Sequence, residues 1–444
     1  MQPLPLLLLS KYTNYFSPSR HALKIMLSRH WPVHWLRRPW KPLAFANSNF
    51  PSIPETQKIE EENLPDYVAA RYYSTRIGEI LQDRYQVVGK LGHGATSTVW
   101  LARDMEYRRY VALKIFIQAT SMGNTGVAHP GRSAVRLLLD TFKINGPEDQ
   151  HQCLVHEPLF ENVWAFLHRN PAQRLPKTVV AFILQRVFLA LDYLNTECQV
   201  IHTGKLYILL IDTSGIDFSS SSSDIKADNI MFQFSDQSVL VDFELGELQA
   251  PCPRKELDGR CIYMSRELKM PKEMGAPVLC DFGSTVDGGV DHLEDVQPNI
   301  YRASEVILEV PWTYSVDIWN VGCMALQIWD IFEGCALFTG QDPELNTYRS
   351  RAHLAEMISL LGPPPPSFVA QGQLSHKFFT KGEFSAQGTR LNPATLEQRE
   401  TTLSGEDKAD FLRFMRRMLQ WEPENRSFAK SLAQDDWIVK QLKA

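Results

Sequence analysis

The chain has 444 residues, 44% of them hydrophobic and 11% aromatic, which places it among globular proteins with a large core and leaves room for two or three domains. Its net charge is −5, yet positions 1–54 hold seven Lys/Arg and no Asp or Glu, so all 51 acidic residues lie in the body. Seven scattered cysteines without C-x-x-C spacing indicate neither a disulfide framework nor a zinc site, and suggest a reducing compartment.

The first segment, 1–54, carries Trp31, Trp35 and Trp40 among Arg and Ser, the composition of a mitochondrial transit peptide or of a disordered tail. Its apolar run at 4–9 is too short to cross a bilayer, and no later stretch gives 18 uninterrupted apolar residues, so a soluble protein without a membrane span is expected. Residues 55–84 form a linking extension, polar and acidic as far as Arg76. From Tyr85 an alternating pattern begins, and strands are predicted there and at 99–102, 110–116, 137–144 and 153–156. These make a small strand-rich lobe, 85–156.

The period then changes. Val180, Leu184, Val187, Phe188, Leu191 and Leu194 recur at three- and four-residue steps behind Pro176, which predicts a helix over 177–197. Further helices are predicted from Val316 towards Phe332 and over 407–419. A larger, mostly helical second lobe therefore spans 160–440, with inserts at 204–223 and 233–277. The whole domain runs from 85 to 440, and the expected class is α+β with two lobes.

Leu91-Gly-His-Gly-Ala-Thr-Ser-Thr-Val99 lies between two predicted strands, where Gly92 and Gly94 let backbone amides approach phosphate groups. Ser97 stands where a third glycine is usual. Alone, this reads as a glycine-containing hairpin. Val111-Ala112-Leu-Lys114 follows on the next strand, and a lysine there neutralises α- and β-phosphates.

After the long helix come Val200-Ile-His-Thr203 and, past an interruption, Asp224-Ile-Lys226-Ala-Asp-Asn229. Asp and Asn five apart fit a catalytic loop in which Asp224 accepts a hydroxyl proton, Lys226 sits by the transferred phosphoryl group and Asn229 ligates magnesium. Val278-Leu-Cys-Asp281-Phe-Gly283 supplies a second magnesium ligand, Asp281, at the end of an apolar strand. Asp242-Phe-Glu244 competes, being 13 residues after Asn229 where Asp281 is 52 after it. Gly283, and the 24 residues from Asp281 to Glu305, decide for Asp281, and Asp242 is read as structural. Glu305 is expected to form a buried bridge with Arg426, and Asp317 to hold the catalytic loop through backbone contacts.

These motifs, in this order over 85–437, resemble the protein kinase family, and most closely its serine/arginine-rich protein kinase branch and related fungal kinases. Ser97, His202-Thr203, the long insert before Asp281, Glu294-Asp-Val-Gln297 and His129-Pro-Gly-Arg132 carry that closer likeness. The resemblance implies a two-lobed fold with a small β-rich N-lobe and a larger helical C-lobe. It also implies ATP with magnesium and protein hydroxyl substrates, among them Ser/Arg-rich ones. Leu91, Gly92, Gly94, Ser97, Val99, Ala112 and Lys114 would then hold the nucleotide, Asp224 and Lys226 carry catalysis, and Asn229 and Asp281 bind metal. A monomer that binds no nucleic acid directly is expected, in the cytoplasm or nucleus, with the basic N-terminus also compatible with mitochondria.

Two segments depart from the family. Gly204 to Ser223 are 20 extra residues inside the catalytic loop, with an apolar stretch at 206–211, and suggest a translated intron. Between Ile115 and Leu139 there is no Asp or Glu, so the helix whose glutamate pairs with the strand lysine is not evident. In addition, Cys323-Met-Ala-Leu-Gln-Ile-Trp-Asp looks three residues longer than the family pattern. The rival readings are a catalytically silent pseudokinase scaffold and, far behind, an unrelated nucleotide-binding protein.

Overall fold

The computed structural model describes residues 38–443, apart from 65–66, 118–128, 147–149, 170–174, 203, 206–221, 224, 284, 334–336, 386–394 and 401. For 204–205, 222–223 and 325–333 it describes the backbone alone. The basic tail to residue 37, residues 118–128 of the stretch without Asp or Glu, and Thr203 and Asp224 thus lie outside the described residues. Six strands and three helices form the framework: β1 (Ile80–Leu81), β2 (Tyr85–Gly94), β3 (Ser97–Asp104), β4 (Arg109–Phe116), β5 (Leu138–Asn145), β6 (Gln150–His156), α1 (Lys177–Tyr193), α2 (Ser238–Gln249) and α3 (Ser315–Glu333).

The chain divides into two units. One comprises Met1–Asn124, Arg136–Phe160 and Phe232–Ala276; the other Thr125–Val135, Glu161–Met231 and Pro277–Ala444.

The first unit is built on an antiparallel sheet of order β1-β2-β3-β4-β6-β5. Alternation along its strands sends Tyr85, Val87, Trp100, Ala102, Val111, Leu113, Ile115, Cys153 and Val155 into one cluster, which Cys252 and Tyr263 complete. Trp100 meets Tyr263 edge to face at 5.6 Å. Val88, Leu101 and Tyr110 pack instead with Leu240 and Phe243 of α2.

Of segment 233–277, read from sequence as an insert of the second lobe, residues 233–276 therefore belong to the sheet unit. The reason is burial, since each large apolar side chain removed from water contributes about 1.5–3 kcal/mol and this segment supplies cover to both clusters. Gly89 permits the approach of α2, because a Cβ there would lie 2.8 Å from the Phe243 ring.

In the second unit, α1 is buried on most of its surface, with Val180, Ile183, Leu184, Val187, Phe188 and Leu191 all within the core. Lys177–Cys198 is long and apolar enough to cross a membrane by length and composition, but here it is a core helix. Phe188 meets Phe414 edge to face, and Phe414 stacks on Trp437 of the C-terminal helix Asp436–Lys443.

The single turn Pro130–Ala134 docks on α1. His129 caps it by accepting from the Gly131 N–H at 3.0 Å, and pairs with Asp192 at 3.3 Å. A Cβ on Gly131 would lie 1.7 Å from the Leu189 carbonyl oxygen. Gly131→Ala must therefore push the turn off the helix, and a loss of about 3 kcal/mol is expected in urea unfolding of the full chain.

Candidate active site

The glycine-containing loop is the β2–β3 hairpin, its register Gly92 opposite Val99 and Gly94 opposite Ser97. Across the next pair, Val99 faces Lys114 and Leu101 faces Ala112. Direct antiparallel partners share a sheet face, so Val99, Leu101, Ala112 and Lys114 lie on one side. Leu91, Gly92 and Gly94 end β2 and Ser97 opens β3, where it is buried. Nothing lies within 4 Å of where a Gly92 Cβ would be, so the space above that backbone is open. The Lys114 ammonium sits 4.9 Å over the Phe116 ring.

In the second unit a short strand pair, Val200–Ile201 with Val286–Asp287, leads into His202. The insert that follows leaves and returns as neighbouring strands, Gly204 opposite Ser223 and Lys205 opposite Ser222. Beyond it Ile225 is buried, Lys226 caps the turn Ala227–Asn229, and the Asn229 N–H donates to the Lys226 carbonyl at 2.9 Å.

The apolar strand Met274–Leu279 delivers Asp281 beside this turn, because the Cys280 N–H donates to the Asn229 carbonyl at 2.8 Å. Asp281 takes a left-handed backbone, φ 63°, a conformation that Asp tolerates better than most residues. An amide oxygen and a carboxylate are the hard donors that magnesium prefers.

Asp242 sits elsewhere. It lies on the exposed side of α2 in the sheet unit, 3.4 Å from Lys269.

Helix α3 organises the second-unit residues. Fully buried Asp317 accepts the His202 N–H at 2.8 Å, and fully buried Asn320, one turn on, donates to the Ile225 carbonyl at 2.6 Å. The chain is thus held on both sides of the insert by one rigid element. His202 is buried; its Nε2–H donates to the Cys280 carbonyl at 3.1 Å and its ring meets Phe282 edge-on at 5.3 Å. Burial depresses its pKa despite Asp317 nearby, so the ring stays neutral.

The segment after Asp281 returns to the same helix. Gln297 donates to the Val316 carbonyl at 3.1 Å and to Asn320 Oδ1 at 3.3 Å, and accepts from the Ala303 N–H at 2.7 Å. Two residues on, Glu305 is wholly buried and receives Arg426 Nη2 at 2.7 Å, the bridge expected from the sequence. Arg426 also donates to the Ser315 carbonyl at 3.0 Å and lies 4.9 Å from the Trp319 ring, so the pair is fully engaged.

Sequence reasoning named Asp317, quoted Gln297 only as part of a motif, and missed Asn320. Asn320 had a signal, a second polar residue three places after Asp317 on an otherwise apolar face. α3 itself runs unbroken through Glu333, while of the stretch that looked three residues too long the side chains beyond Met324 lie outside the described residues.

Asp317→Ala leaves the buried His202 N–H without this acceptor, which costs about 1–3 kcal/mol in unfolding free energy. The displaced loop should also slow phosphate transfer by about a hundredfold. Asp317→Asn retains an acceptor oxygen and is expected to lose less of both.

A protein kinase domain model matches residues 270–438. A serine/threonine protein kinase of Aspergillus fumigatus is 37% identical over 429 residues, covering 92% of this chain and all of that protein. The serine/threonine-protein kinase SRPK of Physarum polycephalum is 29% identical over 86% of the chain and 92% of its own length. Protein kinase dsk1 of Schizosaccharomyces pombe is 26% identical over 87% and 86%. With a relative more than a third identical along its full length, and with sheet and helical units that carry the expected motifs in order, the chain belongs to the serine/threonine protein kinase family, in its SRPK-like branch.

Proposed function

We propose that this chain transfers the γ-phosphate of ATP to serine or threonine hydroxyls of protein substrates. The observation that carries this is the α3 framework: Asp317 and Asn320 fix the loop ends, and the Cys280–Asn229 backbone bond sets Asp281 next to Asn229. In this reading Asp224 takes the proton of the substrate hydroxyl and Lys226 stands by the phosphoryl group in flight. Asn229 and Asp281 hold magnesium through their oxygens. Magnesium, when bound, neutralises charge that develops on the phosphate oxygens.

Lys114, together with Leu91, Gly92, Gly94, Ser97, Val99 and Ala112, holds the nucleotide, a role supported by the open space at Gly92. Relatives are named SRPK and SRSF protein kinase, and on that likeness we take serine set among arginines as the preferred substrate, which the acidic body would attract. Cys153, Cys252, Cys261 and Cys323 are free thiols, which supports a cytoplasmic or nuclear setting. We take the working form to be a monomer.

The test is a thermal shift with Mg-ATP followed by phosphate transfer to an Arg-Ser peptide. Stabilisation with transfer is expected; stabilisation without transfer would mark a silent scaffold, and neither would refute nucleotide binding. Asp281→Ala should abolish transfer, whereas Asp242→Ala, on an exposed helix face, should change the rate by no more than about twofold. Because Thr203 replaces the arginine that in many kinases awaits a phosphate on the activation segment, phosphatase treatment should leave turnover intact. Loss of turnover after dephosphorylation would contradict that.

A further inference from the structure

Three consecutive glutamates, Glu60, Glu61 and Glu62, form a single turn in the extension that precedes the sheet, and each is paired. Glu62 receives Lys255 Nζ at 2.6 Å, and Lys255, itself buried, also donates to the Gln57 carbonyl at 3.0 Å. Glu61 receives buried Lys90, whose ammonium also donates to the Tyr263 carbonyl at 3.0 Å. These two pairs bolt the turn to the sheet unit. Glu60 also lies by Lys90, its Oε2 3.6 Å from that ammonium, and it reaches the hairpin as well.

Its Oε2 lies 2.6 Å from Nδ1 of His93, the residue between Gly92 and Gly94, while Ser265 donates to it from both N–H and Oγ. Burial alone would raise the Glu60 pKa, but the His93 and Ser265 hydrogen bonds, with Lys90 nearby, hold it down at about 2. It is a carboxylate at any working pH.

A second residue of the extension reaches the same hairpin. Buried Tyr72 donates its hydroxyl to the carbonyls of Gly94 and Ala95, at 3.2 and 2.9 Å. Its own carbonyl accepts from Arg260, and its ring packs 5.2 Å from Tyr67. The Ile117 N–H, at the end of β4, adds a bond to the Thr96 carbonyl at 3.0 Å. A glycine-bearing hairpin is intrinsically mobile, because glycine has the most backbone entropy to lose. Here its backbone is tied at Gly94, Ala95 and Thr96, and its side chain at His93.

We propose that the extension residues 59–64 and 67–72 form a positioning element for nucleotide binding, with Glu60 and Tyr72 holding the 91–99 loop in the conformation that receives ATP. This rests on the reading of that loop as the phosphate cradle. The gain is preorganisation, since a loop already ordered loses less freedom when the nucleotide arrives. Neither residue touches the reacting atoms, so the effect falls on ATP affinity and not on the chemical step.

The experiment is steady-state transfer by the full chain to an Arg-Ser peptide, with ATP and peptide varied in turn. Tyr72→Phe keeps the ring packing and removes only the hydroxyl, and Glu60→Gln keeps the shape and removes the charge. Each is expected to raise the KM for ATP by about three- to tenfold, the worth of one such hydrogen bond, while kcat and the peptide KM stay within about twofold. An unchanged ATP KM in both variants would overturn the proposal.

Gly92→Val, which enters open space, and Gly94→Val, which meets only the Ser97 carbonyl oxygen at 4.0 Å, test the loop itself. If they raise the ATP KM while Tyr72→Phe and Glu60→Gln do not, the loop reading stands and the positioning role falls. If the glycine variants also change nothing, both fall together. Thermal midpoints near that of the unaltered chain separate an effect on the loop from unfolding.

Discussion

Asp317 and Asn320 grip the chain on either side of a twenty-residue interruption, and the proposed chemistry depends on that grip. A loop of that length costs little to close, roughly 0.6 kcal/mol more for each doubling, so its entropy is not the difficulty. Position is. By accepting the His202 N–H and donating to the Ile225 carbonyl, α3 fixes both flanks independently of the path between them. The described ends of the insert leave and return as adjacent strands, Gly204 opposite Ser223 and Lys205 opposite Ser222. His202 passes the constraint on through the Cys280 carbonyl and the Phe282 ring, so the segment bearing Asp281 is referenced to the same helix.

The sheet unit solves a different problem. Its two apolar clusters need cover, and the chain supplies it from sequence-distant pieces, α2 with the hairpin around Tyr263 and the extension before Tyr85. Joining such pieces through buried Lys90 and Lys255 is costly in solvation, and the carboxylates of Glu61 and Glu62 offset that cost only in one geometry. Buried ion pairs of this kind fix which surfaces meet more than they add stability, which suits an element whose proposed task is placement.

Much of this was legible in the sequence. The strands around Tyr85, Val99, Tyr110 and Cys153 and the helix behind Pro176 declare themselves by period, because their apolar residues face a core at regular steps. Glu305 with Arg426, and Asp317 with the loop, were legible because residues of those types stand at motif positions. What could not be read was pairing at a distance. Nothing local marks Glu60 as the partner of His93, or Tyr72 as a donor to Gly94, since each bond joins a residue of no special pattern to backbone or side chain far along the chain. The placement of 233–277 failed for the same reason: its own pattern shows a helix and a hairpin, while the faces they cover belong to strands more than a hundred residues earlier.

The central claim is that α3 holds the catalytic loop in working geometry with the insert in place. Excising 204–223, so that Thr203 joins Asp224 directly, and comparing phosphate transfer with the full chain tests it most directly. Both chains are predicted to transfer phosphate, at rates within about tenfold of each other. A full chain without transfer beside an active excised one would show that the insert breaks the loop and that the grip of Asp317 and Asn320 does not suffice.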